Sequence, residues 1–270
     1  MAVAHGLGTN DALTMIEVAG LSKTYGRLVA VDDLSFTVRP GEVMGLVGPN
    51  GAGKTTTLRC LSGILPPTRG TLRLDGHDLA AAPLAAKQAL AYFPDEPRLF
   101  DYLSVRQHLT FIARLYHVRD AGPKAEALLA EFELTEKARR LPGELSRGMK
   151  QKLAIACGLL HAPKVILFDE PLTGLDPHGI RRMKDTILRL AREGAAMVIS
   201  SHLLHLVEEI CSHLLILKQG RMIAHGTIEE LRRRFGGGAP DANLEDVFFR
   251  ATDGPAAEAN PASVAAPAPR

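Results

Sequence analysis

Nine consecutive residues carry the plainest chemistry in this chain: Gly48-Pro49-Asn50-Gly51-Ala52-Gly53-Lys54-Thr55-Thr56 matches G-x-x-x-x-G-K-[ST] in full. The apolar run Val43-Met44-Gly45-Leu46-Val47 precedes it, and Thr57-Leu58-Arg59-Cys60-Leu61, which reads as a helix, follows. Strand, glycine loop and helix thus come in the order a phosphate cradle requires. Glycines let consecutive backbone N–H groups turn inward around phosphate oxygens, and the positive end of the next helix adds its dipole at the same point. Lys54 is placed to reach the β- and γ-phosphates of a nucleotide, and the Thr55 hydroxyl to ligate Mg2+. A chance match in a chain of this length has odds on the order of one in a hundred. The bland alternative, a glycine turn without a ligand, is disfavoured by the flanking strand and helix.

Two more polar clusters follow apolar runs. Val165-Ile166-Leu167-Phe168 ends in Asp169-Glu170, and Met197-Val198-Ile199 ends in Ser200-Ser201-His202. Short, fully apolar runs separated by the helix-like stretch from Ile180 to Arg192 suit parallel strands covered on both faces. Ligands of such sheets bind outside the carboxyl ends of the strands, so three polar clusters are expected on one edge. Asp169 fits a carboxylate that positions Mg2+ opposite Thr55, because a hard cation takes oxygen ligands. Glu170 is placed to orient or deprotonate an attacking water, and His202 to donate to the γ-phosphate.

The rest of the chain must position these groups. From Ile16 onward apolar and polar residues alternate, and Leu34, Phe36 and Val38 repeat the pattern, which predicts half-exposed antiparallel strands around a turn at Lys23-Thr24-Tyr25-Gly26. Thr71-Leu72-Arg73-Leu74 alternates likewise before the turn pair Asp75-Gly76. Beyond Pro97 the periodicity becomes helical. Ser104 is a plausible N-cap for a helix burying Val105, Leu109, Ile112, Leu115 and Tyr116; a second helical piece spans Pro123 to about Phe132, and a third opens after Ser146. Residues 98–162 therefore read as a helical insert. After Arg221 come a last strand and a helix, with Thr227 and Glu230 in capping-box form. Residues 1–13 are expected to be flexible, 14–235 to form the main domain, Gly236-Gly237-Gly238 to be a linker within a short extension at 236–251, and 252–270 to be a disordered Ala/Pro-rich tail.

Composition excludes several classes. The 270 residues carry 32 basic and 30 acidic side chains, a net charge of +2 that supplies no general field for nucleic acid. No apolar run approaches the ~20 residues of a membrane span, and the amino terminus has no basic flank before an apolar core, so neither a span nor a signal peptide is expected. The three cysteines, Cys60, Cys157 and Cys211, have no paired spacing and are expected to be reduced, buried small hydrophobes; the ten histidines show no metal-ligand spacing.

Leu145-Ser146-Arg147-Gly148-Met149 starts a helix that could present a hydroxyl, N–H groups and a dipole to an anion, although an ordinary helix cap would look the same. The ordered set GPNGAGKTT at 48–56, LSRGMKQ at 145–151, ILFDEP at 166–171, GLDP at 174–177 and SH at 201–202 resembles the ATP-binding-cassette ATPases over roughly residues 14–250. That resemblance implies an α/β P-loop NTPase fold with a mainly parallel core sheet, an N-terminal antiparallel β subdomain and a helical subdomain, with ATP and Mg2+ as ligands. It implies that Ser146, Arg147, Gly148 and Met149 form a signature that faces the γ-phosphate of an opposite subunit. It further implies that Asp176 links two sites and that Tyr25 stacks on adenine.

Three positions depart from the family pattern. Arg147 stands where glycine is usual, with Met149 often a glutamine, and Asp95 stands where a glutamine usually contacts Mg2+ and senses a membrane partner. Aspartate can ligate a cation too, with a shorter reach. These variants and the Asn243-Leu244-Glu245-Asp246-Val247-Phe248 ending resemble the separate ATPase subunits of bacterial exporters and related permeases. The implied assembly is a head-to-tail pair of ATPase subunits, the same chain or a paralogue, closed by two MgATP and docked on transmembrane permease subunits at the inner face of the cell membrane, with no nucleic acid partner. The rival is a non-transport cassette ATPase switching on ribosomes or DNA; the paired cassettes and long coiled coils of such proteins are missing from the sequence.

Overall fold

A computed structural model describes residues 14–173, 175–237 and 243–253. The expectations for residues 1–13, Gly174, Gly238 and the tail from 254 onward lie outside the described residues. In chain order the elements are β1 (Ile16–Tyr25), β2 (Leu28–Val38), β3 (Val43–Val47), α1 (Lys54–Leu61), β4 (Arg69–Leu74), β5 (His77–Asp78), α2 (Pro83–Gln88) and β6 (Leu90–Phe93). Then follow α3 (Val105–Leu115), α4 (Ala121–Glu131), α5 (Arg147–Leu159), β7 (Val165–Asp169), α6 (Pro177–Arg192), β8 (Ala196–Ser200), α7 (Leu204–Ile210), β9 (His213–Lys218), β10 (Arg221–Thr227), α8 (Ile228–Phe235) and α9 (Leu244–Asp253).

Two sheets result. An antiparallel one has the order β2-β1-β4-β5, and a six-stranded one has the order β10-β9-β3-β8-β7-β6, parallel except for β10. The parallel strands are buried on both faces, and their two-residue period divides them between two cores. Met44, Leu46, Val165, Leu167, Val198 and Leu215 face the antiparallel sheet, whereas Val43, Val47, Ile166, Phe168, Ile199 and Ile216 face the helices. Each such side chain withdrawn from water contributes about 1.5–3 kcal/mol, so one wall of strands anchors both layers.

The first hairpin turns two residues later than expected: Tyr25 still pairs with Leu28, and the turn falls on Gly26 and Arg27, with Gly26 supplying the positive φ of 58°. Asp75 (φ 48°) and Gly76 (φ 77°) form the expected tight turn, both left-handed as a primed hairpin turn demands. Ser104 caps α3 in a full capping box with Gln107. Val105 and Leu109 are buried as expected, Ile112 and Tyr116 are half-buried, and Leu115 is exposed; His108 and Ala113 complete the buried face instead, because residue 115 falls off the i, i+4 stripe.

α4 ends in Glu131 and is followed closely by Glu133, and these carboxylates tie the helical insert to α6. Glu131 pairs with Arg189 at 2.8 Å, and Glu133 with Arg182 at 2.6 Å and with Lys152 of α5 at 2.9 Å. β6 and β9 were not expected as separate strands. The expected capping box opens α8, with Thr227 accepting from the Glu230 amide at 3.1 Å and Glu230 accepting from the Thr227 amide at 2.8 Å. At the end of the described chain, Asn243 accepts from the Asp246 amide at 2.7 Å and starts α9, which buries Leu244, Val247 and Ala251 in the helical core. α9 extends through Asp253, past the expected boundary at 251, and Thr252 is buried with its hydroxyl donating to the Phe248 carbonyl at 2.9 Å. All three cysteines are free and buried, and burial pushes the Cys157 thiol up to about 12. Among the described residues no helix is long and apolar enough to cross a membrane.

Candidate nucleotide site

β3 delivers the glycine loop to the carboxyl edge of the parallel sheet. Gly48 packs so tightly that an added Cβ would lie 2.3 Å from the Leu217 carbonyl oxygen, and at Gly53 (φ 104°) it would lie 2.5 Å from that of Ala30. Only glycine lets the backbone pass there. Gly53 is also the N-cap of α1 and offers no side-chain cap, so the amides of the first turn are left for an anion. Lys54, 9% exposed, folds back over the loop, its Nζ donating to the carbonyls of Gly48 at 2.7 Å and Pro49 at 3.3 Å. Burial lowers its pKa, while the charges of Glu170 and then Asp169 pull it back up. Pro49, Asn50, Gly51, Ala52 and Thr56 complete the loop and the first turn of the helix; Pro49 accepts from the Ala52 amide at 3.1 Å.

Strand order explains what meets the loop. β8 lies between β3 and β7, with Ser200 opposite both Leu46 and Asp169. Asp169 is 4% exposed, and its Oδ1 accepts from Ser200 Oγ at 2.6 Å and Thr55 Oγ1 at 3.2 Å. Glu170 has left-handed backbone at φ 54°, a conformation costing a non-glycine residue about 1–2 kcal/mol. Its amide is held by the Ser200 carbonyl at 3.2 Å and by Ser200 Oγ at 3.1 Å. Its Oε2 accepts from His202 Nδ1–H at 2.9 Å and from the His202 amide at 3.3 Å. A carboxylate accepts only, so Nδ1 carries a proton in this contact, and Nε2 donates to a ligand as well only in the imidazolium form. Burial, with the Asp169 charge beside it, raises the Tyr92 phenol pKa at the same edge. The site fits a magnesium nucleotide on three counts: uncapped helix amides, a buried ammonium, and an all-oxygen pair of hydroxyl and carboxylate.

Sequence reasoning missed Ser200 as a separate participant, although it lies in the polar cluster after β8. Its hydroxyl joins Asp169 to the Glu170 backbone, which only the strand register reveals.

The signature residues stand apart. Ser146 caps α5, its Oγ accepting from the Met149 amide at 3.3 Å. Met149 is half-buried against the helical core, and an added Cβ on Gly148 would meet nothing nearer than Leu175 at 3.9 Å. Arg147 Nη2 reaches Asp95 Oδ1 at 3.4 Å, so the two charged departures from the family pattern pair with one another. Asp176 caps α6, accepting from the Gly179 amide at 2.7 Å. Tyr25, at the end of β1, is 44% exposed with Lys23 Nζ 5.4 Å from its ring centroid.

A family model described as ABC transporter matches residues 31–173. The chain is 34% identical over 242 residues to the ABC-type transporter ATP-binding protein EcsA of Bacillus subtilis (strain 168), covering 89% of this chain and 97% of that protein. It is 35% identical over 236 residues to the daunorubicin resistance ATP-binding protein DrrA3 of Streptomyces coeruleorubidus, covering 87% of this chain and 75% of the relative. A solved ATP binding subunit of an ABC transporter superposes with a TM-score of 0.82 at 35% identity, over 88% of this chain and 100% of that one. The chain therefore belongs to the ABC transporter family. It is an ATP-binding, ATP-hydrolysing transporter subunit with the α/β architecture of a P-loop NTPase, and the non-transport reading is not favoured.

Proposed function

We propose that this subunit works as half of a head-to-tail pair that closes on two MgATP molecules and opens after hydrolysis. The loop Gly48 to Thr56 holds the phosphates in its amides, with Lys54 turning from its carbonyl partners toward the β- and γ-oxygens. Thr55 and Asp169 would hold Mg2+, which when bound neutralises and polarises phosphate oxygens. Glu170 takes a proton from the attacking water as the water oxygen bonds to the γ-phosphorus and the bond to ADP breaks; His202 steadies Glu170 through Nδ1–H and, as the imidazolium, the γ-phosphate through Nε2–H. Ser146, Arg147, Gly148 and Met149 complete the partner's site, Asp176 lies between the two sites, and Tyr25 takes the adenine face. The observation that carries this reading is the hydrogen-bonded chain Thr55–Asp169–Ser200–Glu170–His202 beneath an uncapped helix.

The motion is converted to transport by permease subunits at the inner face of the membrane. A groove of about 670 Å³ between β6, α3 and α5 supports that docking. Its lining includes Tyr92, Phe93, Phe100, Phe111 and Tyr116, with Phe100 53% exposed. Resistance relatives support export. Tagged Glu170→Gln protein purified from detergent-solubilised native membranes with ATP should bring a polytopic membrane protein in near-equal amount; recovery of only soluble partners, ribosomes or DNA would overturn the transporter assembly.

A further inference from the structure

The two charged departures from the family pattern, Asp95 for glutamine and Arg147 for glycine, lie 52 residues apart in sequence and meet at 3.4 Å. Asp95 follows β6 by two residues. β6 runs parallel to β7 with Phe93 opposite Phe168, so Asp95 stands at the sheet edge that also carries Asp169 and Glu170. Arg147 is the first residue of α5, beside Ser146 and Gly148. The pair thus spans the chain's own nucleotide edge and the motif it presents outward.

Stability does not explain the pair. Its side chains are 56% and 48% exposed and share one contact, which places it among the weakest ionic interactions in proteins. A guanidinium makes stronger, forked bonds to phosphate oxygens than to a single exposed carboxylate oxygen, and phosphates carry more charge. A weak internal partner and a strong external one are what a switch requires.

We propose that Asp95 and Arg147 form a charge-exchange device in the composite site: Asp95 retains Arg147 within its own subunit until the γ-phosphate held by a second copy of this chain draws the guanidinium across. This rests on the head-to-tail reading above. Arg147 then binds phosphate in trans, and Asp95 competes with that phosphate, so removing the two side chains must have opposite effects. A pair that only braced α5 against the sheet edge would give losses of one sign.

The test uses the full chain carrying Glu170→Gln, with ATP and Mg2+ titrated while dimer formation is followed by light scattering after size exclusion. Arg147→Ala should raise the ATP concentration for half-maximal dimerisation about tenfold, the worth of one charge-assisted contact. Asp95→Asn should lower it about threefold, should have no effect once Arg147 is alanine, and Asp95→Glu should restore the parental value. Both positions are exposed, and circular dichroism checks that each variant folds. Shifts of the same sign, or an Asp95→Asn effect that persists without Arg147, would overturn the exchange while leaving the composite site intact. Failure of the parent Glu170→Gln chain to dimerise although it binds ATP would overturn the head-to-tail homodimer and this proposal with it.

Discussion

The sheet edge at β3, β7 and β8 and the amino end of α5 both carry motif residues, yet they are built in opposite ways. At the edge, Lys54 and Asp169 are nearly buried, and Thr55, Asp169, Ser200, Glu170 and His202 are already joined by hydrogen bonds. At the amino end of α5, Ser146 serves its own helix and Arg147 stands half in water against Asp95. Among the described residues, none of the hydrogen bonds and ion pairs of this second group runs to Lys54, Thr55, Asp169 or Glu170. One region is preorganised to do chemistry, and the other is preorganised only to be met. A chain built this way offers a preorganised edge and a separate exposed helix end, the two surfaces that the proposed pairing would bring together.

The contrast breaks or sharpens under substitution. The largest effect belongs to Glu170→Gln, where steady-state turnover should fall about 100- to 10,000-fold while ATP affinity stays within a few-fold by calorimetry; near-normal turnover would remove Glu170 as base. Lys54→Ala deletes the buried ammonium and should weaken ATP binding roughly 100-fold or more, read by the same titration. Unchanged affinity would contradict the assignment of the loop. Ser200→Ala tests whether the edge is a single network: about 1–3 kcal/mol of stability should go in thermal or denaturant unfolding, and the Mg2+ concentration for half-maximal turnover should rise about tenfold. If only stability changed, Ser200 would be packing rather than positioning. Ser146→Ala is the mildest for the fold, costing about 1 kcal/mol as a lost cap, and should lower turnover without weakening ATP binding to the single subunit. Weaker binding by the monomer would place the signature at its own site and erase the distinction between the two regions.

How far the sequence alone reached follows the same division. The loop, Asp169, Glu170 and His202 were legible because each follows an apolar run and all must emerge at the carboxyl edge of one parallel sheet. Ser200 was legible as a polar residue but not as a link, because its contacts depend on β8 lying between β3 and β7, a strand order no local pattern encodes. The Asp95–Arg147 contact was hidden for a related reason: its partners belong to a strand edge and a distant helix, and only the packing of α5 beside β6 joins them. β9 was passed over as a separate strand although it is an apolar run like the others. Leu115 was placed one step off the buried stripe of α3, an error that an apolar residue near a helix end invites because nothing polar marks the true face. The turn after β1 was placed early because Lys23 and Thr24 are polar; on a half-exposed strand, polar residues are expected as well.

Glu170 bears on how such a chain can be engineered. Its left-handed backbone would be relieved by glycine, which adopts that geometry freely. A search for heat-resistant variants that scored folding alone would therefore be drawn to this position and would reward the loss of the proposed base. Robust but idle proteins would accumulate. Under the proposed base role, keeping turnover under selection would hold an acidic residue at a place where the backbone alone favours glycine.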